Sequence, residues 1–341
     1  MPDPCHLPGS LARLLAVAVA ASCAGGAAAA PPILLKFSHV VAVDTPKGRA
    51  AEHFKRRAEE LTGGRVRVEV HPNSTLYKDR EEIEALQLGA VQMLAPSLSK
   101  FGRLVKEFEV FDLPFLFADH AAVRRVTEGP VGRALLERLE PKGIVGLAYW
   151  DNGFKSFSAN RPLRTPEDFR GLKVRIQSSA VIEAQMRALG ALPRILAFSD
   201  VTPALRAGFV EAAENPISNL YTQRMHEVQR HLTLTEHGYL GYAIIVNKRF
   251  WEGLPRDVRA QLERALAEAT ELANRIAKEK NDADLAKVKA AGTTLVHVPT
   301  REERLALERA LVPIHAQMAS RLGEQLLRDI HAAAGFDPHR P

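Results

Sequence analysis

From Thr165 to Gly190 the chain reads TPEDFRGLKVRIQSSAVIEAQMRALG. Thr165 followed by Pro166 is a helix start with proline at the first helical position, and Gly171 stops that short turn. Leu172 to Gln177 has the pattern of a strand, and Ser179 caps a second helix that Gly190 ends. A turn, a strand and a helix in so short a stretch are the units of an α/β fold.

The same grammar extends in both directions. Upstream, Ile33 to His39 is a strand pattern, Gly48 to Thr62 a helix stopped by Gly63-Gly64, and Val66 to His71 a second strand. Asp79, with Glu82 three residues on, reads as a capping box opening a helix that turns Ile83, Leu86 and Ala90 to one side. Val91 to Pro96 returns to strand. Between Tyr149 and Asn160 lies a polar, glycine-containing stretch, Trp150-Asp151-Asn152-Gly153-Phe154-Lys155, the expected crossing from one domain to the next. Downstream, Ser199 starts a short helix and Gly208 stops it. Phe209 to Ala213 then leads into Glu214-Asn215-Pro216, where the proline holds Asn215 extended at a strand-to-helix junction. From Pro255 to about Ala291 helix formers run almost unbroken, with Val258, Leu262, Ala265, Ala269, Leu272 and Ile276 at helical spacing. At 1.5 Å per residue such a helix is roughly 50 Å long, enough to cross two lobes.

Composition removes several classes. With 341 residues, 46% hydrophobic and 25% charged, the chain is ordinary globular material and no disordered or disulfide-stapled scaffold. Its 46 basic residues exceed 40 acidic ones, but the signs alternate along the chain and aromatics are only 6%, so no nucleic-acid partner is expected. Residues 1–29 read as a signal peptide: Arg13, an apolar run from Leu14 to Ala24, and a small-x-small cleavage site at Ala27 and Ala29. The alternative is a lipoprotein leader acylated at Cys23. Cys5 and Cys23 both fall in that leader, so the exported chain, starting at Ala30, folds without a disulfide in an oxidising compartment. No other apolar stretch approaches the about 18 residues of a membrane span.

Enzyme motifs are absent from the sequence: no Gly-x-Ser-x-Gly elbow, no phosphate loop, no Gly-x-Gly-x-x-Gly and no His-Glu-x-x-His. His226 and His231, the nearest approach to a zinc pair, lie about 140° apart if helical and read as surface histidines. The reading is therefore not an enzyme, with no cofactor and no metal. On the strand, Lys173, Arg175 and Gln177 share the face opposite Val174 and Ile176. That face is either solvated or a guanidinium and amide placed to grip a carboxylate.

Tyr149 to Lys155, Gly171-Leu172-Lys173-Val174-Arg175, Ala197-Phe198-Ser199 and Glu214-Asn215-Pro216 resemble, in order and spacing, the periplasmic solute receptors of TRAP transporters, the DctP family. The likeness runs from about Leu35 to Asp329. Phe37 to Val41, Ser97 to Phe101 and His237 to Tyr242 resemble the branch that binds C4-dicarboxylates. One departure stands before Glu214, where the family usually reads Val-Asp-Gly and this chain has Val210-Glu211-Ala212.

The resemblance implies an α/β, two-lobed periplasmic-binding-protein-like fold with a mixed sheet in each lobe and a long helix spanning both. Residues 30–152 and 241–279 would form the first lobe and 153–240 and 280–341 the second, with crossings near Gly153, near Leu240 and within the long helix. It implies that Arg175 pairs with a ligand carboxylate, supported by Asn215 and Lys155, with Phe198 packing on the ligand. Ser97 stands where sialic-acid receptors carry a glutamate that would repel a second carboxylate, and His39, Gln177, Tyr239 and Lys100 complete the expected contacts. The implied ligand is succinate, fumarate or malate, bound by a monomer that delivers it to the small and large integral-membrane TRAP permease subunits. The alternatives are another organic acid, such as a keto acid, sugar acid or pyroglutamate, or a receptor that signals to a sensor kinase.

Overall fold

The computed structural model describes residues 31–338, so the expected leader, its cleavage site and Cys23 lie outside the described residues. Among the described residues nine strands form: β1 (Ile33–Ser38), β2 (Val66–His71), β3 (Met93–Leu94), β4 (Ile144–Ala159), β5 (Lys173–Ile176), β6 (Leu192–Ile195), β7 (Ala212–Asn215), β8 (His231–Asn247) and β9 (Leu295–His297). They lie in the order β2-β1-β3-β8-β4-β7-β5-β6, with β9 beside β8. Parallel pairs, such as β1 with β2 and β5 with β6, flank the antiparallel β4–β8 ladder, so the sheet is mixed. The two lobes share it because β4 and β8 run through both.

The polar stretch from Tyr149 to Lys155 is the middle of β4, and a helix laid across it bonds its backbone. The Asp151 amide donates to Asn274 Oδ1 at 2.8 Å, and Asn281 Nδ2 donates to the Asn152 carbonyl at 2.6 Å. Irregular register within the β4–β8 ladder bends it at the crossing. There Gly153, at φ 129°, is the Cα partner of Leu240, so the two expected crossing residues face each other.

Alternation along β8 explains the layers. Tyr242, Ile244 and Val246 pack with Phe37, Phe54 and Trp150, while Ala243 and Ile245 pack with Phe101, Phe108 and Phe111. The other lobe has its own clusters, one around Phe157, Val174 and Met186 and one around Val201, Leu220 and Val288. The helix Arg256–Ala291 ties them together: its 36 residues put Val258 to Ala273 in the first lobe's core and Val288 in the second's.

Four local expectations are corrected. Helix Glu82–Gln87 starts without a side-chain cap, because the Asp79 carboxylate is drawn instead to the buried Lys100 ammonium at 2.7 Å. Val91 to Pro96 contracts to β3. The first helix opens earlier than Gly48, at Pro46, with Thr45 Oγ1 accepting from the Gly48 amide at 3.1 Å. His226 is buried against Tyr221 rather than on the surface, and it lies in a short 3-10 turn whereas His231 begins β8. Ala212, which replaces the glycine expected before Glu214, is an ordinary extended residue of β7 paired with both Val174 and Ala159, so no glycine is needed there.

Gly48 sets the position of the first helix, because a Cβ there would overlap the carbonyl oxygens of Ala42 and Val43. Backbone cannot yield as a side-chain tip does. Gly48→Ala is expected to cost about 1–3 kcal/mol, read as a lower denaturant midpoint with an unchanged slope.

Candidate functional site

A small cavity lies where the two lobes meet over the crossing strands. From the first lobe it is lined by Val40, Asp79, Glu82, Ser97 and Lys100, from the second by Arg175, Gln177, Phe198, Asn215 and Asn219, and from β8 by Tyr242. Next to the lining residues Asp79 and Phe198 the chain is tied by an ion pair between Lys78 and Asp200 at 2.9 Å and by Arg80 donating to the Ile195 carbonyl at 3.3 Å. A larger groove of ≈ 1280 Å³ runs along the long helix past Leu147 and Thr270. None of its lining residues carries a buried polar atom without a partner, whereas the smaller cavity gathers several.

Arg175 sits on β5 with 1% of its surface exposed, so the solvated alternative left open for its face does not hold. Its Nε and Nη2 donate to the Leu196 carbonyl at 3.3 and 3.0 Å, which fixes the guanidinium plane and leaves Nη1 available. The guanidinium lies 5.9 Å from the centre of the Phe198 ring, within cation–π range. Burial pulls the arginine below its ordinary pKa, offset by the fields of Asp79 and Glu214. Asn215, at the end of β7, has only the Met225 sulfur within reach of Nδ2, at 3.5 Å, a weak acceptor. Ser97 Oγ, Asn219 Oδ1, the Tyr242 hydroxyl and one oxygen of Asp79 are buried without a hydrogen bond. So many orphaned polar atoms around one space mark a place where a polar solute supplies the missing partners.

Of the residues singled out from sequence, Arg175, Asn215, Phe198, Ser97, Gln177 and Lys100 therefore line one cavity. Three do not. Lys155 is committed to Glu214, Nζ to Oε1 at 2.8 Å, and both side chains are 1% exposed. The second oxygen of Glu214 accepts from His237 Nε2 at 2.8 Å, and His237 stacks flat on Phe157 at 3.9 Å. Lys155 thus stays under the floor of the site because its counter-ion is in the next strand. His39 is buried with both ring nitrogens unbonded, and burial together with Lys47 lowers its pKa to about 3, so it is a neutral ring packed on Phe37. Tyr239 joins the aromatic cluster of Phe117 and Phe154 on the far face of β8, where its neighbour Tyr242 takes the cavity side.

Sequence reasoning passed over Asp79, Glu82, Asn219, Tyr242 and, just behind the cavity, Lys47. Lys47 Nζ donates to the Ala95 carbonyl at 2.8 Å and lies 3.7 Å from the Tyr242 ring centre. One signal was present: a lysine in the first turn of a helix opposes the helix dipole, and such local conflicts gather at sites of function.

A two-lobed α/β frame closing over a small cavity of unpartnered polar groups defines a solute-binding receptor. Residues 37–322 match the family model described as bacterial extracellular solute-binding protein, family 7 (DctP), and the chain belongs to this family. It is 58% identical, over 94% of its length and 98% of the relative's, to the C4-dicarboxylate-binding periplasmic protein DctP of Rhodobacter capsulatus. A TRAP periplasmic solute-binding protein of Sulfurospirillum deleyianum, solved with bound succinate, is 44% identical with TM-score 0.87, covering 89% of this chain and 100% of that one. A Pseudomonas aeruginosa counterpart with bound L-malate is 45% identical with TM-score 0.82, covering 84% and 100%.

The Lys155–Glu214 pair is testable without any ligand. Lys155→Met strands a buried carboxylate and is expected to cost about 3–5 kcal/mol of unfolding free energy. Burial raises the Glu214 pKa, but Lys155 and His237 outweigh it and bring it down to about 2. A depressed carboxylate adds stability above its unfolded pKa and loses it as pH falls toward the folded one. The wild type is therefore expected to lose this increment between about pH 4.5 and pH 2, and urea melts across that range should show a flatter profile for the variant.

Proposed function

We propose that the protein is the periplasmic receptor of a TRAP transporter and binds a C4-dicarboxylate, succinate, fumarate or malate, in the cavity around Arg175. The observation that carries this is the charge of the cavity. Arg175 and Lys100 line it and Lys47 lies just behind, against two acids, Asp79, which is paired with Lys100, and Glu82. A neutral solute would leave Arg175 buried and unpaired. The similarity to receptors solved with succinate and L-malate supports the same ligand class.

In this reading one carboxylate takes Arg175 Nη1 and the Asn215 amide, with Phe198 against the chain. The other meets Ser97, Lys100, Tyr242 and Asn219, whose polar atoms await partners. Because the partners come from both lobes, the ligand binds the closed form better than the open one, and closure removes the ion pair from water. Segments 30–152 with 241–279, and 153–240 with 280–341, are the bodies that would move about the Gly153–Leu240 crossing. The first 29 residues direct export to the periplasm. The monomer then hands its ligand to the membrane permease subunits.

The test is a thermal-shift panel of mono- and dicarboxylates. Succinate, fumarate or malate at 100-fold over Kd should stabilise the fold by about 2.7 kcal/mol, and Arg175→Ala should abolish the shift. Arg175→Lys, which keeps the charge and loses the fork, should weaken binding by at least about tenfold. Shifts confined to other acids would discard the C4 assignment.

A further inference from the structure

One group in the cavity is not explained by a dicarboxylate site: Glu82, an acid in the wall of a pocket for anions. It is 1% exposed, neither of its carboxyl oxygens has a hydrogen-bond partner, and no cation lies within ion-pair distance of it. The nearest cations are otherwise engaged. Lys47 points its ammonium at the Ala95 carbonyl and the Tyr242 ring, and Lys100 is held by Asp79.

Resting on the dicarboxylate reading, we infer that the receptor takes up a proton as it takes up its ligand, and that Glu82 holds this proton and donates it in a hydrogen bond to the ligand. A buried carboxylate without a donor is costly, whereas a carboxylic acid needs only one acceptor, and a ligand carboxylate in the cavity is that acceptor. Charge counting leads to the same place. With Lys47 protonated, Arg175, Lys100 and Lys47 carry three positive charges against one on Asp79, so with Glu82 protonated as well the site is doubly positive and a dianion neutralises it. With Glu82 ionised, the loaded site would hold an excess negative charge in the interior. The proton comes from hydronium or a buffer acid in solvent, whose O–H or N–H bond breaks as the Glu82 O–H bond forms.

The groups that act on Glu82 come from every surrounding element. They are Lys47 from the first helix, Asp79 from the preceding turn and Lys100 from the turn Leu98–Arg103; Arg175 on β5 and Tyr242 on β8 line the same cavity, and the neutral His39 lies beyond Lys47. Burial is the largest influence and raises the Glu82 pKa, Lys47 and Lys100 oppose it, and Asp79 adds to it. Burial likewise lowers that of Lys47. A dianion close by raises Glu82 further, so affinity is full at low pH and is lost as pH rises through the titration of the loaded form.

The experiment is calorimetry of succinate binding to the mature chain, at pH values from about 6 to about 9 and in two buffers of different ionisation enthalpy. Uptake approaching one proton per succinate is expected at the alkaline end, with Kd weakening toward tenfold per pH unit. In Glu82→Gln, whose amide donates at any pH, Kd shifts but becomes flat across the range and the uptake disappears. Succinate binding without proton uptake anywhere in the range overturns the inference and leaves the receptor standing. Equal uptake in Glu82→Gln overturns it too, by placing the proton elsewhere. The wild-type series decides the first point even if the variant does not fold. No heat with succinate, fumarate or malate at any pH overturns the dicarboxylate reading itself, and this inference with it.

Discussion

A guanidinium with 1% of its surface exposed is the constraint on which the rest of the structure turns. Buried charge is tolerated only when paired or fully hydrogen-bonded, and Arg175 has one carbonyl and one aromatic face. The fold spends its rigidity on holding this incomplete arrangement. β5 lies between β6 and β7, Leu196 follows β6 directly, and Asn215 ends β7, so backbone pairing places the arginine, its carbonyl and the amide in register. The charge deficit is therefore a property of a sheet, which does not relax to relieve it. Closure by a ligand is the relief.

The same economy shows in the crossing. A hinge made of loops would leave two lobes free to separate, but here two long strands carry hydrogen bonds through it, with Gly153 at φ 129° and irregular register supplying the bend. The long helix braces that bend from one side through Asn274 and Asn281. The helix meets the backbone of β4 there, at the Asp151 amide and the Asn152 carbonyl, while the side chains turn elsewhere, the Asp151 carboxylate to His120 and Asn152 Oδ1 to the Ser218 hydroxyl.

The crossing shows what sequence can and cannot disclose. Strand and helix periodicity were legible from Thr165 to Gly190, and so was the spanning helix, because both depend on local patterns of apolar residues. The face of Arg175 and the extended backbone of Asn215 were legible for the same reason, the first from a period of two and the second from Pro216. Pair identities were not. Lys155 and Asp79 are charged groups whose roles depend on partners far along the chain, Glu214 and Lys100, and nothing local announces those distances. Tyr239 and Tyr242 lie three residues apart on a strand and thus on opposite faces, and without knowing which face met the cavity the choice between them was open.

Lys47 and Glu82 mark the limit of local reasoning from the other side. Each sits in the first turn of a helix, where the acid suits the dipole and the base does not, yet both are buried at the cavity. Helix propensity treats them as ordinary capping choices; the cavity makes them a coupled pair whose charges are set by each other and by burial. A site that must bind a dianion faces opposed demands: enough positive charge to attract it, and little enough to remain folded when empty. Fixed cations alone answer only the first. An acid that gains its proton when the ligand arrives answers both, because in the empty site the field of Lys47 favours a negative charge on Glu82, and a dianion bound beside Glu82 displaces that charge.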